Sequence, residues 1–251
     1  MTDAPLLKVS GLVKRFGGLL ATDHVDLDVR PGETHALIGP NGAGKTSFIA
    51  QIQGDLSSDE GTILFDGRNI VRDKAWRRAH AGLARSFQIT SVFPDLTALA
   101  NVVLAVQARS GHSFRFGRPA MRDPALLEPA RTALDAIGLL ARADVQTSAL
   151  SHGEQRQLEL AMALASKPKL LLLDEPMAGM GRQDGARMTA ILRELKAHHA
   201  MLLVEHDMSA VEALADRVSV LVSGRVIATG TFASVRNDPT VRAAYLGEKT
   251  R

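Results

Sequence analysis

Eight consecutive residues, Gly39-Pro40-Asn41-Gly42-Ala43-Gly44-Lys45-Thr46, satisfy the pattern G-x-x-x-x-G-K-[ST]. The chemistry available to such a run is capture of a phosphate chain. Its glycines let backbone N–H groups close around the phosphates, and the helix that must follow adds positive potential at its start. Lys45 can reach the β- and γ-phosphates, and the Thr46 hydroxyl can ligate magnesium. Further along, four leucines at 170–173 lead into Asp174 and Glu175. A buried strand of that kind delivers two carboxylates at its C-terminal edge, where open α/β sheets bind their ligands. Asp174 is placed to position magnesium through its hydration shell, and Glu175 to polarise an attacking water as general base. Read alone, the pair is equally two solvated acids at a strand end. Beside a phosphate loop, two acids gain a task.

These groups need strands and helices to hold them. Residues 34–38 read as a short buried strand running into the glycines, and residues 46–53 have helical character, so the loop sits in a strand, loop, helix unit. Residues 6–16 and 25–29 alternate apolar and polar side chains before the Pro31-Gly32 break, which predicts an antiparallel start. Residues 61–65 read as another strand, closed by Asp66-Gly67. From about residue 88 to 150 the texture turns to Ala- and Leu-rich helical segments, interrupted at 110–124 by Gly111, Gly117, Pro119 and Pro124. After Leu150 helices are predicted at 154–165, 185–196 and 208–215. Strands are predicted at 170–173 and 201–204, with a strand pair around Ser223-Gly224. Alternating strands and helices imply a mainly parallel sheet with right-handed crossovers.

The chain has 251 residues, 45% of them apolar and 23% charged, enough for a sizeable core without disulfides or metal. Its isoelectric point near 9.4 resembles that of a nucleic-acid binder. That value arises because there is one tyrosine and no cysteine to titrate below the lysines; the formal net charge is only +3. The absence of cysteine fits a reducing compartment and excludes a thiolate metal site. Residues 1–9 carry Asp3 and Pro5 and lack the basic start and long apolar run of a signal peptide, so no export is expected. No apolar stretch approaches the roughly 18–20 residues of a spanning helix, which leaves only a peripheral role at a membrane.

Leu150-Ser151-His152-Gly153-Glu154-Gln155-Arg156 resembles the signature motif of ABC-transporter ATPases, and it stands one helix upstream of the strand ending at Asp174. The resemblance then extends over almost the whole chain. It places Phe16 where an aromatic stacks on adenine, Gln88 in the Q-loop with a role toward magnesium and water, and His206 in the switch-histidine position. Alone, His206 is an ordinary strand-end histidine, Phe16 a core aromatic and Gln88 a polar loop residue; their order in the series singles them out. The chain departs from the family at His152, in place of the first signature glycine, and at Glu154, in place of glutamine. It also has Gly181 where an aspartate is common, which bears on the polar link across a dimer and on the hydrolysis rate.

The resemblance implies an α/β fold: a P-loop NTPase core with a mainly parallel sheet, an N-terminal antiparallel β subdomain and an inserted α-helical subdomain. Residues 1–87 and 156–235 would form the core, 88–155 the helical signature subdomain and 236–251 a C-terminal tail of a single domain. It also implies ATP and Mg2+ as ligands and head-to-tail association with a second ATPase subunit, identical or not. Each ATP would lie between residues 39–47 of one subunit, Ser47 included, and Ser151 and Gly153 of the other. Integral membrane permease subunits would bind at the cytoplasmic face of the inner membrane, with an extracytoplasmic solute-binding protein as an indirect partner. Residues 88–95, with Ile89, Val92 and Phe93, are a candidate docking segment; cover for the insert's core is an equal reading.

Several runs are similar to the branched-chain amino acid importer group: Lys14-Arg15-Phe16-Gly17-Gly18, Leu83-Ala84-Arg85-Ser86-Phe87-Gln88, Val204-Glu205-His206-Asp207-Met208 and Tyr245-Leu246-Gly247-Glu248, together with the insert at 110–124. ATPases for urea or amide uptake and for lipopolysaccharide export share parts of the pattern. A P-loop kinase or GTPase would share residues 39–46, but no Asn-Lys-x-Asp run is present and the signature stretch would go unexplained. A non-transport ABC ATPase would need tandem cassettes or a coiled coil, and no sustained heptads occur. The basic run at 72–85, with Trp76, is interrupted by Asp73 and apolar residues. It reads as a solvated helix face, and no nucleic acid is expected.

Overall fold

Alternating side chains at the N-terminus produce a two-sided ribbon. In the computed structural model, which describes residues 4–86, 92–110 and 119–246, β1 (Leu7–Phe16) and β2 (Leu19–Val29) pair antiparallel from Leu7–Val29 to Phe16–Leu19. β3 (Thr34–Ile38) leads into α1 (Lys45–Gln53), and β4 (Glu60–Phe65) turns at Asp66 and Gly67 into the short β5 (Arg68–Asn69). The chain continues through α2 (Ala75–Ala81), β6 (Leu83–Ser86), α3 (Ala98–Ser110), α4 (Pro124–Ala136) and α5 (His152–Ala165). It then alternates through β7 (Leu170–Asp174), α6 (Arg182–Leu195), β8 (Ala200–Val204), α7 (Met208–Leu214), β9 (Arg217–Val222) and β10 (Arg225–Gly230). It closes with α8 (Phe232–Asn237) and α9 (Pro239–Leu246).

Two sheets result. The antiparallel sheet has the order β2-β1-β4-β5; the larger has the order β10-β9-β3-β8-β7-β6, parallel except for β10. Every residue of β3, β7 and β8 is buried, as expected of central parallel strands covered on both faces. Period-two alternation sorts their side chains. Leu170, Leu172 and Leu202 join Phe48, Ile49 and Ile52 of α1 and the antiparallel sheet, whereas Leu171, Leu173 and Leu203 join the helices α3, α4 and α5.

The helical expectation for the insert agrees with α3 and α4, which pack on each other and on α5 through Val102, Val103, Leu134 and Leu158. α5 runs unbroken through residue 155, so the sequence-based edge of the insert falls inside a helix. The basic run at 72–85 is solvated at Arg72, Lys74, Arg77 and His80, as expected, but not at Arg78. It holds α2 and then strand β6, and Arg78 is only 2% exposed. Its guanidinium donates to the Gln51, Ile52, Val71 and Asp73 carbonyls, caps the C-terminal end of α1, and is held below its usual pKa by burial. The contact is invisible in the sequence because the capped carbonyls lie 26 and 27 residues away.

Candidate functional site

Register brings the candidate residues to one edge. Val204 of β8 pairs with Leu37 of β3 on one side and Asp174 of β7 on the other, all in parallel. The three strands therefore release together into the loops carrying Gly39, Glu175 and His206.

The loop after β3 is shaped by two close backbone approaches. A Cβ at Gly39 would collide with the Leu221 carbonyl, and one at Gly44 with the Ala21 carbonyl; Gly44 also has a φ of 104°, which favours glycine. Between them Ala43 is buried, and its carbonyl accepts the Gly224 N–H at 2.9 Å, while the Gly224 carbonyl accepts the Asp23 N–H at 2.8 Å. The β9–β10 turn thus ties the loop to β2. Thr22 and Gln51, a buried hydrogen-bonded pair, join β2 to α1 as well. Lys45 lies across the loop, its Nζ donating to the Gly39 carbonyl at 2.6 Å and to that of Pro40 at 2.9 Å. Asn41, Gly42 and Thr46 are exposed, while Gly39, Pro40 and Ser47 are partly so. α1 starts without a side-chain cap, leaving its first N–H groups for a ligand, and no acid stands in its first turn. The arrangement can hold a polyphosphate.

Asp174 is 1% exposed, and its Oδ2 accepts from Arg85 Nη2 at 2.9 Å. Arg85 also donates to the Gln53 side chain at 2.6 Å and stands 3.7 Å from Asp55, orienting the Asp174 carboxylate from beneath. The next residue, Glu175, adopts a left-handed backbone, φ 50°, uncommon outside glycine. Its N–H donates to the Val204 carbonyl at 2.9 Å, and its carboxylate lies 3.9 Å from His206 Nδ1. His206 is largely exposed and can swing toward a ligand. Glu205, which sequence reasoning passed over, is 1% exposed and accepts N–H groups from His206 at 3.0 Å, Asp207 at 3.4 Å and Met177 at 3.3 Å. Burial pushes its carboxyl above the usual range, against the opposing pull of those N–H groups.

Phe16 ends β1 at the glycine turn to β2, half exposed, with Lys14 Nζ 5.7 Å from its ring centre. Ser151 is the N-cap of α5. Its hydroxyl accepts the Glu154 N–H at 3.2 Å while the Glu154 carboxylate accepts the Ser151 N–H at 2.9 Å, forming a reciprocal capping box. Arg142 donates to the other Glu154 oxygen at 3.1 Å. Burial alone would raise the Glu154 carboxyl, but Ser151 and Arg142 outweigh it and hold it below its ordinary value. The departure at 154 therefore has a local rationale: glutamate serves the cap and pairs with Arg142. A Cβ on Gly153 would press on the Asp184 carboxyl, so glycine lets α5 approach α6. His152 packs its ring edge beside Gly179. Nothing in the structure explains Gly181. Gln88, Phe87 and Ile89 lie outside the described residues.

Comparisons with known proteins show the family and the fold. Residues 22–178 match the family model described as ABC transporter, and residues 225–250 that described as branched-chain amino acid ATP-binding cassette transporter. The high-affinity branched-chain amino acid transport ATP-binding protein LivG of Escherichia coli (strain K12) is 39% identical, covering 97% of this chain and 98% of that protein. BraF of Pseudomonas aeruginosa, of the same description, is 36% identical with the same coverage. Among solved structures, the ADP conformation of MJ1267, an ATP-binding cassette of an ABC transporter, superposes with a TM-score of 0.86 at 28% identity. It covers 98% of this chain and 100% of that one. A nucleotide-free ATP-binding cassette from an ABC transporter gives 0.85 at 27% identity, covering 96% and 99%.

Proposed function

Because the chain belongs to the family of ABC transporter ATP-binding subunits, we propose that it powers the import of branched-chain or chemically related amino acids. It is an ATP hydrolase that energises transport. The observation that carries the amino-acid reading is the match of residues 225–250 to the branched-chain group, since the ATPase core is shared by cassettes of many cargoes.

In this reading residues 39–47 cradle the triphosphate, with Lys45 released from the Gly39 and Pro40 carbonyls to the β- and γ-phosphates. Phe16 stacks on the adenine. Thr46, Asp174 and Gln88 would hold Mg2+; hydroxyl and carboxylate oxygens are the hard donors such an ion takes. When bound, the ion neutralises charge on the transferring phosphate. Glu175 accepts a proton from the attacking water, while His206 and Gln88 orient it and the γ-phosphate. Ser151 and Gly153, at the start of α5, meet the ATP of a second subunit. Binding then favours the closed pair, and hydrolysis reopens it. Residues 1–87 and 156–235 serve as the core, 88–155 as the signature arm, and 236–251 as the tail.

An apolar groove of about 410 Å³, between α2, α3 and α5, is lined by Trp76, Arg85, Ala105, Arg109 and Met162. Trp76 stands at its side and is 58% exposed; Phe93, in the proposed docking segment, is 55% exposed. We assign the groove and the segment that carries Phe93, each on its own evidence, to contact with a permease's cytoplasmic helix. Among the described residues no helix is long and apolar enough to cross a membrane. The reading places the chain peripherally on the cytoplasmic face of the inner membrane, working indirectly with an extracytoplasmic solute-binding protein.

The test is to tag the native subunit carrying Glu175→Gln, extract membranes in mild detergent with ATP, and identify what co-purifies. Two permease subunits and a second, similar ATPase are expected, and the recovered complex should bind leucine through its solute receptor. Partners of urea, amide or lipopolysaccharide systems would replace the cargo, and ribosomes without membrane protein would overturn the transport reading.

A further inference from the structure

The loops after β7 and β8 carry the two groups closest to the expected chemistry, Glu175 and His206, yet neither loop is regular structure that could fix its own position. Beyond the 3.9 Å approach of the Glu175 carboxylate to His206 Nδ1, hydrogen bonds hold the described parts of these loops to each other in two places. One is the Glu175 N–H on the Val204 carbonyl at 2.9 Å. The other runs through Glu205, whose Oε1 accepts the Met177 N–H from the first loop at 3.3 Å. Its Oε2 accepts the His206 N–H at 3.0 Å and the Asp207 N–H at 3.4 Å from the second. We propose that Glu205 is a positioning residue for ATP hydrolysis, a buried carboxylate that fixes the Glu175 loop and the His206 loop relative to one another.

Three features support the assignment. The side chain is 1% exposed, so the desolvation of a carboxylate has been accepted at this place. Its three hydrogen-bond partners are all N–H donors, the set an ionised carboxylate satisfies and a carboxylic acid or an amide does not. They come from both loops rather than from one. The left-handed backbone at Glu175 adds a reason for such a tie, because a strained residue keeps its conformation only where its surroundings over-determine it. The inference rests on the reading of Glu175 as the base.

Glu205→Gln discriminates. The amide oxygen can keep the two N–H groups of His206 and Asp207, which turns its NH2 toward the Met177 N–H, donor against donor. The Glu175 loop is then released while the phosphate loop, on β3, is untouched. The full chain in its native complex is expected to lose about ten- to hundredfold in kcat, the cost of small misplacement of a reacting group. The KM for ATP should stay within about twofold, since binding energy comes from elsewhere. Amide exchange should accelerate at Met177 and not at His206. An unchanged kcat overturns the proposal, and so does a joint fall of kcat, ATP affinity and melting temperature, which marks a purely structural role. Should Glu205→Gln not fold, Glu205→Asp keeps the charge but is one methylene too short to span both loops. The same loss confined to kcat supports the proposal, and full activity contradicts it. Glu175→Gln is measured in parallel. If it retains turnover, the base assignment and this inference fall together; if only the Glu205 variants retain turnover, this inference falls alone.

Discussion

Glu175 and Lys45 separate the two halves of the chemistry. Glu175→Gln preserves the loop of residues 39–47, so ATP should still bind, while turnover should fall by about 10²–10⁴-fold, the usual contribution of a general base. Lys45→Ala removes a buried cation from the phosphate cradle and should weaken nucleotide binding itself. Equilibrium binding of a fluorescent ATP analogue, set beside phosphate release, checks both; equal binding by the two variants would remove Lys45 from its role. These residues were legible in the sequence because their chemistry is written in consecutive positions. Arg85 and Glu205 were not. Arg85 reaches Asp174 across 89 positions and Glu205 reaches Met177 across 28, so only the parallel register of β6, β7 and β8 makes either contact.

At the scale of elements, the first turn of α5 matters most, because it presents Ser151 and Gly153. Its capping box should contribute about 1 kcal/mol, lost in Ser151→Ala and read by urea denaturation. Glu154 makes this contribution pH-dependent. Its carboxyl is held below the ordinary value of 4.5 in the folded chain, so the native state binds fewer protons than the unfolded one near that pH. The stabilisation is complete above the ordinary value and is lost as pH falls through the lower folded value. The stability gap between wild type and Glu154→Gln should therefore narrow on acidification below about 4.5. Strands and helices around the phosphate loop were readable from alternation and from glycine punctuation. β6 was hidden inside a basic run in which Arg78 and Arg85 turn inward, toward the end of α1 and toward Asp174, a use of charge that composition cannot distinguish from solvation.

Across the whole molecule, a polar joint of β2 with β3 and β9 flanks the apolar cluster that the two sheets share. His35 on β3 bonds the Asp28 carbonyl of β2 at 2.7 Å through Nδ1 and the Ser219 hydroxyl at 2.8 Å through Nε2. Arg217 on β9 pairs with Asp28 and with Glu33. Burial, with Arg217 nearby, holds His35 below the ordinary histidine value near 6.5 despite Asp28 and Glu33. The folded chain thus keeps it neutral, and its stabilisation is full above that value and declines as pH falls through and below it. Between pH 7.5 and 5.5 the wild type should lose melting temperature that His35→Gln does not lose. The class of architecture was legible from strand and helix alternation, whereas this joint was not, because it is made by residues up to 189 positions apart. The central claim is that ATP hydrolysed at Glu175 drives amino-acid import. Its most direct test is ATP-dependent uptake of radiolabelled leucine by proteoliposomes containing the native complex, with either the wild-type chain or Glu175→Gln. Uptake should be present with the first and fall to the ATP-free background with the second while ATP binding persists. Equal uptake by both would contradict the account.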